Sequence, residues 1–162
     1  MSSRLRWTAL FAAILAAAGL AVWWLLRLAP QPVLLRTDDP QLLARGQSIY
    51  MAQCASCHGE DRQGQPNWRM RRPDGRLPAP PHDETGHTWH HPDELLVQIT
   101  RDGVAKAAGL EDYVSDMPAY GGTLADGDIV AVLSWIKSRW PAQARASQEK
   151  INRQALQSRG GT

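Results

Sequence analysis

The stretch Cys54-Ala55-Ser56-Cys57-His58 decides how the rest of this 162-residue chain is interpreted. It contains both cysteines of the chain, three positions apart, which is too close for an ordinary framework of structural disulfides. Two thiols on one helical turn can add to the two vinyl groups of a haem, while the next residue reaches the iron. The spacing Cys-x-x-Cys-His is therefore typical of covalent c-type haem attachment.

Two other interpretations of the cysteine pair stay open at this point. A thioredoxin-like redox pair requires a strand-turn-helix unit around it, and the sequence contains no strand signal of any length. Half of a zinc site requires further ligands, which could come from the histidines at 82–91.

The residues before the motif predict a helix that ends near Cys54. Asp39 suits the N-cap of this helix and Pro40 suits its first position. One face of the helix carries residues at helical spacing, namely Leu42, Gly46, Ile49 and Tyr50.

The residues after the motif predict a long loop and two more helices. Positions 61–81 contain five prolines and no hydrophobic period, which favours irregular structure. A second helix is expected from Pro92 to Gly103, and a last one over 126–140, closed by Pro141.

An uncharged run at 7–26 lies near the N-terminus, with arginines on both sides. As a helix, these 20 residues would span ~30 Å, the thickness of a bilayer core. We expect an uncleaved signal anchor rather than a cleaved signal peptide, because the run continues past the small residues at 16–21. The basic residues before the run favour a cytoplasmic N-terminus and an exported domain.

These features predict five segments along the chain. They are a cytoplasmic n-region at 1–6, a transmembrane signal anchor at 7–28, a linker at 29–39, the folded domain at 40–141, and a polar tail at 142–162 that is frayed or disordered.

The charge of the chain argues against nucleic acid as a partner. The formal net charge is only +2. Residues 37–141 carry 10 basic and 15 acidic side chains, a net charge of −5, whereas the tail at 142–162 carries 4 and 1, a net charge of +3. The folded part is acidic, and it suits a partner that bears basic residues.

Residues 42–141 resemble the class I cytochromes c, in particular the small, membrane-anchored, single-haem members of bacteria. In that family a Gly and an aromatic residue before the motif pack against an aromatic residue of the last helix. Here those positions hold Gly46, Tyr50 and Trp135. The resemblance implies an all-α class I cytochrome c fold, preceded here by one transmembrane helix, and one covalent haem c.

The resemblance also implies two axial ligands of the iron, His58 and Met117. Met117 lies in Asp116-Met117-Pro118, which looks like the family's distal Met-Pro segment ahead of the last helix. A thioether is a soft, neutral ligand that raises the reduction potential of haem iron. The predicted cofactor-binding residues are therefore Cys54, Cys57, His58 and Met117, of which His58 and Met117 bind the metal.

Other family features could be carried by several residues each. One of Pro78, Pro80 and Pro81 is expected to lend its backbone carbonyl to the proximal histidine. The haem propionates could be met by arginines or by indole N–H groups, namely Arg69, Arg71, Arg72, Arg76, Trp68 and Trp89. The last helix departs from the family pattern, because Ala125 stands where Ser or Thr is usual. We therefore expect Asp126 to cap it.

Two protein ligands leave no open site on the iron, so the resemblance implies an electron carrier and not an enzyme. The expected partners are membrane or periplasmic redox proteins, including a terminal oxidase, and the lipid bilayer through residues 7–28. The expected location is a bacterial inner membrane, crossed once, with the haem domain in the periplasm. Two alternatives remain: a haem protein with a displaceable distal ligand, such as a peroxidase or gas sensor, and a metal-handling protein that uses the segment at 82–91.

Four of the five histidines lie within ten residues, at His82, His87, His90 and His91. Imidazole binds copper or zinc, so this segment could form a second metal site or supply an alternative iron ligand. His91 precedes a proline and is biased away from helical geometry, which weakens the helical spacing between His87 and His91. We expect packing and hydrogen-bonding roles near the haem face, without a tightly bound metal.

Overall fold

The structure, a computed structural model, describes residues 3–28, 34–110 and 112–160. The chain divides into two compact units, Met1–Pro32 and Val33–Thr162. The described residues form helices, turns and loops, and none of them forms a strand. This secondary structure agrees with the predicted all-α class.

The first unit contains one helix, α1, Ser3–Leu28, of 26 residues. Its side chains are described at positions 7, 8 and 11–24, so the predicted anchor at 7–28 lies partly outside the described residues. Among the residues that are described, no helix is long and apolar enough to cross a membrane. The predicted transmembrane helix thus has no support from the structure.

The second unit is built from six helices and one 3₁₀ turn among its described residues. In chain order these are α2 Pro40–Gln53, α3 Ala55–His58, the 3₁₀ turn Thr88–His90, α4 Asp93–Asp102, α5 Val104–Ala108, α6 Asp126–Ser138 and α7 Ala142–Gly160.

The predicted ends of α2 and α4 are confirmed. The Asp39 side chain accepts a 3.0 Å hydrogen bond from the backbone N of Leu42, and Pro40 is the first residue of α2. Helix α4 follows Pro92 and ends at Gly103, whose φ of +87° is open to glycine at little cost.

Helices α2 and α6 pack closely because Gly46 has no side chain. A Cβ atom added to Gly46 would lie 2.1 Å from the backbone oxygen of Ala131 in α6. Beside this contact, the rings of Tyr50 and Trp135 lie 4.7 Å apart between centroids, and both side chains are buried. The predicted packing of Gly46, Tyr50 and Trp135 is confirmed.

Helix α6 begins without the predicted side-chain cap. Ala125 occupies the N-cap position and Asp126 is already the first helical residue, so the expected capping by Asp126 is wrong. Asp126 and Asp128 instead place negative charge in the first turn, where the helix dipole favours it.

Residues 142–160 form one continuous helix, α7, which corrects the prediction of a frayed or disordered tail. The helix packs through polar side chains, since Gln148 and Asn152 are 0% and 5% exposed. Gln148 Nε2 donates to the backbone oxygen of His91 at 3.2 Å, and Asn152 Oδ1 accepts from the backbone N of Asp93 at 2.8 Å. A search for apolar periodicity could not reveal this packing, because Gln148 and Asn152 are amides and the buried apolar residue one turn before Gln148, Ala144, is small.

The segment between α3 and the 3₁₀ turn contains no helix or strand, as its prolines predict. Hydrogen bonds hold it in a defined course instead. The backbone N of Gln65 donates to Ala79 O at 2.9 Å, and the backbone N of His82 donates to Arg62 O at 2.7 Å. This course brings Pro80 and His82 next to the motif.

Candidate functional site

A cavity of about 490 Å³ lies in the second unit. Much of its wall is apolar and comes from α4 and α6, with Leu96, Ile99, Val132, Leu133 and Ile136 as contributors. Cys54, Cys57 and His58 line the same cavity, and so does Met117. The chain therefore brings all four predicted cofactor-binding residues, which span 64 positions of sequence, to one cavity.

His58 is oriented by a backbone carbonyl of the proline-rich loop. Its Nδ1 atom lies 2.8 Å from Pro80 O, so the structure selects Pro80 among the three candidate prolines. A carbonyl only accepts hydrogen bonds, so Nδ1 carries the hydrogen and Nε2 remains for a metal. Burial lowers the pKa of His58, and the bond to Pro80 offsets part of that effect. Burial thus favours the neutral imidazole, which is the form that would bind iron.

The two cysteines are free thiols on one turn of chain. The backbone N of Cys57 donates to Cys54 O at 3.1 Å, and Cys54 N donates to Tyr50 O at 2.9 Å. Burial raises the pKa of the Cys54 thiol to about 11, with a further contribution from Cys57. A thioredoxin-like pair does not fit, because no strand occurs among the described residues around the motif.

Met117 lies in the segment between α5 and α6, and its backbone N donates to Ser115 Oγ at 3.1 Å. The neighbouring Asp116 forms ion pairs with Arg72 and with Arg76, the latter at 2.8 Å. The hydrogen bond from Arg72 holds the pKa of Asp116 below its usual range. Arg72 and Arg76, which were candidates for the propionates, are therefore already paired within the protein.

The remaining propionate candidates differ in their surroundings. Arg69 and Trp68 line the cavity, and the Arg69 guanidinium lies 4.1 Å from the Trp68 ring centroid. Trp89 donates its indole N–H to Glu84 O at 3.3 Å, so this group is used elsewhere. The Cζ atom of Arg71 lies 5.6 Å from the centroid of the Tyr113 ring.

His82 stacks on the predicted proximal ligand, with 4.0 Å between the His82 and His58 ring centroids. Its Nδ1 lies 2.8 Å from Thr88 Oγ1, and its backbone oxygen accepts a 2.8 Å hydrogen bond from Trp140 Nε1. Burial is the largest cause that lowers the pKa of His82 well below its usual value, and the neighbouring His58 adds to it. The His82 ring stacks on the His58 ring and therefore lies on the same side of the cavity.

The other three histidines have packing contacts. His87 and His91 line the cavity with 5.4 Å between their ring centroids, and His87 also stacks on Trp68. The His90 and Trp89 rings lie 3.7 Å apart between their centroids. Across residues 3–28, 34–110 and 112–160, no group of three or more His, Cys, Asp or Glu side chains is arranged to hold a metal ion.

Two residues at the site have roles that sequence reasoning missed. Thr88 holds His82, and Asp116 links the Met117 segment to the arginine-rich loop. Two sequence signals could have predicted the ion pairs of Asp116. This acidic residue lies beside a candidate ligand, and a run of arginines lies elsewhere in the chain. No comparable signal marks Thr88.

A family model described as cytochrome c oxidase, cbb3-type, subunit III matches residues 41–136. The chain belongs to this family. It is accordingly a class I c-type cytochrome whose cofactor is covalently bound haem c with iron. A comparison with solved structures finds no match for this chain.

The residues at the site fit the cofactor that the cbb3-type subunit III family implies. The cavity combines an apolar wall, two free thiols at the attachment spacing and a buried imidazole whose Nδ1 is held by Pro80 O. When bound, haem c supplies one-electron chemistry at its iron. Cytochrome c domains of this kind generally act in electron transfer rather than catalysis.

Proposed function

We propose that this protein is a membrane-anchored, periplasmic carrier of single electrons, with one haem c ligated by His58 and Met117. The observation that carries the proposal is that both side chains line one cavity together with Cys54 and Cys57. With both axial positions filled by protein, the iron has no open site for a substrate. The chain has only two cysteines, so it can attach one haem through two thioethers.

The ligand assignment is tested by Met117→Ala in the haem-loaded protein. The variant should lose the low-spin spectrum of the wild type, bind carbon monoxide when reduced, and have a lower reduction potential, because a thioether favours ferrous iron. Met70→Ala is the matched control, since Met70 is 67% exposed. A Met117→Ala variant with the wild-type spectrum and potential would exclude Met117 as the ligand.

Carbon monoxide also separates the carrier from a peroxidase or gas sensor. A carrier with a firm Met117 ligand should bind the gas slowly and weakly in its reduced form. Fast, tight binding to the wild-type protein would indicate a displaceable distal ligand and would contradict the carrier proposal.

The proposed partners are membrane or periplasmic redox proteins, such as a terminal oxidase. The family description supports an oxidase partner. Residues 37–141 carry a net charge of −5 and α7, which packs on them, carries +3, so the excess of acidic side chains that supports a partner with basic residues lies in residues 37–141. The second-order rate of electron transfer to such a partner should fall as ionic strength rises. A rate that does not depend on salt would contradict the electrostatic part of the proposal.

The proposed anchor and location rest on the uncharged run at 7–26, taken over all of its residues. Protein purified from a membrane fraction should begin near Met1 and expose its haem domain to protease from the periplasmic side. A soluble periplasmic product whose N-terminus lies within 19–32 would contradict the anchor.

A further inference from the structure

We propose that Asp116 is a positioning residue that keeps Met117 on the iron through its ion pairs with Arg72 and Arg76. The inference rests on the proposed ligation by Met117 and adds how that ligand is held. We call residues 112–119 the Met117 loop and residues 67–77 the arginine loop.

The two loops meet at one carboxylate. Arg72 Nη2 bonds Asp116 Oδ2, and Arg76 Nη1 bonds Asp116 Oδ1 at 2.8 Å, so each carboxylate oxygen takes one guanidinium. Two charge-assisted bonds on separate oxygens fix the orientation of the carboxylate as well as its position.

The arginine loop presents both guanidinium groups from a tight turn. The backbone N of Arg72 donates to Arg76 O at 2.9 Å, and Gly75 N donates to Arg72 O at 2.8 Å. Gly75 has a φ of +80°, which this turn requires. The turn therefore holds Arg72 and Arg76 side by side, where both contact Asp116.

The Met117 loop has few other attachments. Among its described residues, every hydrogen bond that leaves the loop passes through Asp116, while the bond from Met117 N to Ser115 Oγ is internal. The next bond to another element is from Tyr120 N to Thr100 O, after the loop has ended. An additional contact is the Arg71 guanidinium over Tyr113.

This arrangement predicts an effect on ligand exchange more than on folding. The three charged groups are about two-fifths exposed, and exposed ion pairs contribute little to global stability. Asp116 is nevertheless adjacent to Met117 in the chain, so the ion pairs restrict the excursions that would carry the thioether away from the iron. Breaking the pairs should let Met117 leave more often.

The experiment measures how fast imidazole replaces Met117 in the oxidised, haem-loaded protein. In that step the bond between iron and sulfur breaks and a bond between iron and the imidazole nitrogen forms, with no change of redox state. Asp116→Asn, Arg72→Gln and Arg76→Gln are compared with wild type. Asp112→Asn is the matched control, because Asp112 is an exposed carboxylate of the same loop.

We expect Asp116→Asn to accelerate exchange by about threefold or more, with each arginine variant intermediate and Asp112→Asn unchanged. High salt should accelerate exchange in the wild type but not in Asp116→Asn. The thermal midpoint should stay close to the wild-type value in every variant. Equal exchange rates in wild type and Asp116→Asn would overturn the proposal, as would an acceleration in proportion to lost thermal stability.

The Met117→Ala variant separates a failure of the ligand assignment from a failure of the positioning role of Asp116. If this variant opens the sixth position while Asp116→Asn leaves exchange unchanged, the ligand assignment stands and the positioning role of Asp116 is rejected. If Met117→Ala keeps the wild-type spectrum, both are rejected. In the Met117→Ala background, Asp116→Asn should have no further effect on imidazole binding.

Discussion

The Nε2 atom of Gln148 donates a 2.6 Å hydrogen bond to Oδ1 of Asp93, a buried residue 55 positions earlier in the chain. Asp93 also accepts from Lys137 Nζ at 3.1 and 3.2 Å and from the backbone N of Leu35 at 2.9 Å. One carboxylate thus joins α4, α6, α7 and the segment before α2. Lys137 in turn contacts Glu149 of α7 at 2.7 Å.

Gln148→Ala should lower the free energy of unfolding by about 1–3 kcal/mol, because it removes the donor from a buried carboxylate and from a half-buried carbonyl and leaves space in a packed interface. Gln154→Ala is the matched control, since Gln154 is an exposed amide of the same helix. Denaturant unfolding of the haem-loaded protein measures both. Equal values for the two variants would show that the hydrogen bonds of Gln148 do not hold α7 in place.

The Asp93 and Lys137 side chains are 2% and 3% exposed, so each is a buried charge that depends on its partner. Lys137→Met or Asp93→Leu alone should cost about 3–5 kcal/mol, whereas the double variant should cost less than the sum of the two. Lys106→Met should change stability by less than about 1 kcal/mol, since Lys106 is 75% exposed in its pair with Asp102. Additive losses in the double variant would contradict a direct interaction.

Gly46→Ala should destabilise the protein by about 1–3 kcal/mol, because the new Cβ would lie within 2.1 Å of a backbone oxygen of α6. Gly127→Ala makes the same chemical change where no atom lies within 4 Å, and it should stabilise the protein by up to about 1 kcal/mol. Thermal unfolding of both variants, compared with the wild type, measures these changes in stability. A neutral Gly46→Ala would show that α2 and α6 can separate without loss.

His82 should make the protein less stable in acid. Its pKa in the folded state lies below that of the unfolded chain, near 6.5, so the unfolded state binds more protons and unfolding is favoured as pH falls through that value. Between pH 8 and pH 5, wild type should lose up to about 2 kcal/mol more stability than His82→Leu. His90→Leu, which replaces an exposed histidine, should follow the wild type. An identical pH profile for wild type and His82→Leu would contradict the lowered pKa of His82.

Much of the fold could be predicted from short stretches of the sequence. Asp39 and Pro40 mark the start of α2, Gly103 marks the end of α4, and the prolines mark the loop after α3, because each acts through its own backbone geometry. The expectation that Asp126 would cap α6 was wrong because Ala125 is the N-cap. A good capping residue near a helix start does not determine which residue becomes the N-cap, since the chain direction there depends on how α6 packs.

Part of the candidate site could also be predicted from local sequence signals. Cys54, Cys57 and His58 carry their chemistry at a fixed spacing, so the attachment motif needs no tertiary information. The choice of Pro80 over its neighbours and the stacking of His82 on His58 depend on the course of an irregular loop. No periodic pattern in the sequence records that course.

The sequence by itself determined the cofactor class, the attachment motif and the main helices, because these follow from residue types at short, fixed separations. Only the tertiary structure decided that α7 packs on the domain and that Asp116 pairs with Arg72 and Arg76. These contacts join polar residues 40 to 55 positions apart. Polar residues at such separations look solvent-exposed in a sequence, and they become buried or paired only when the fold supplies their partners.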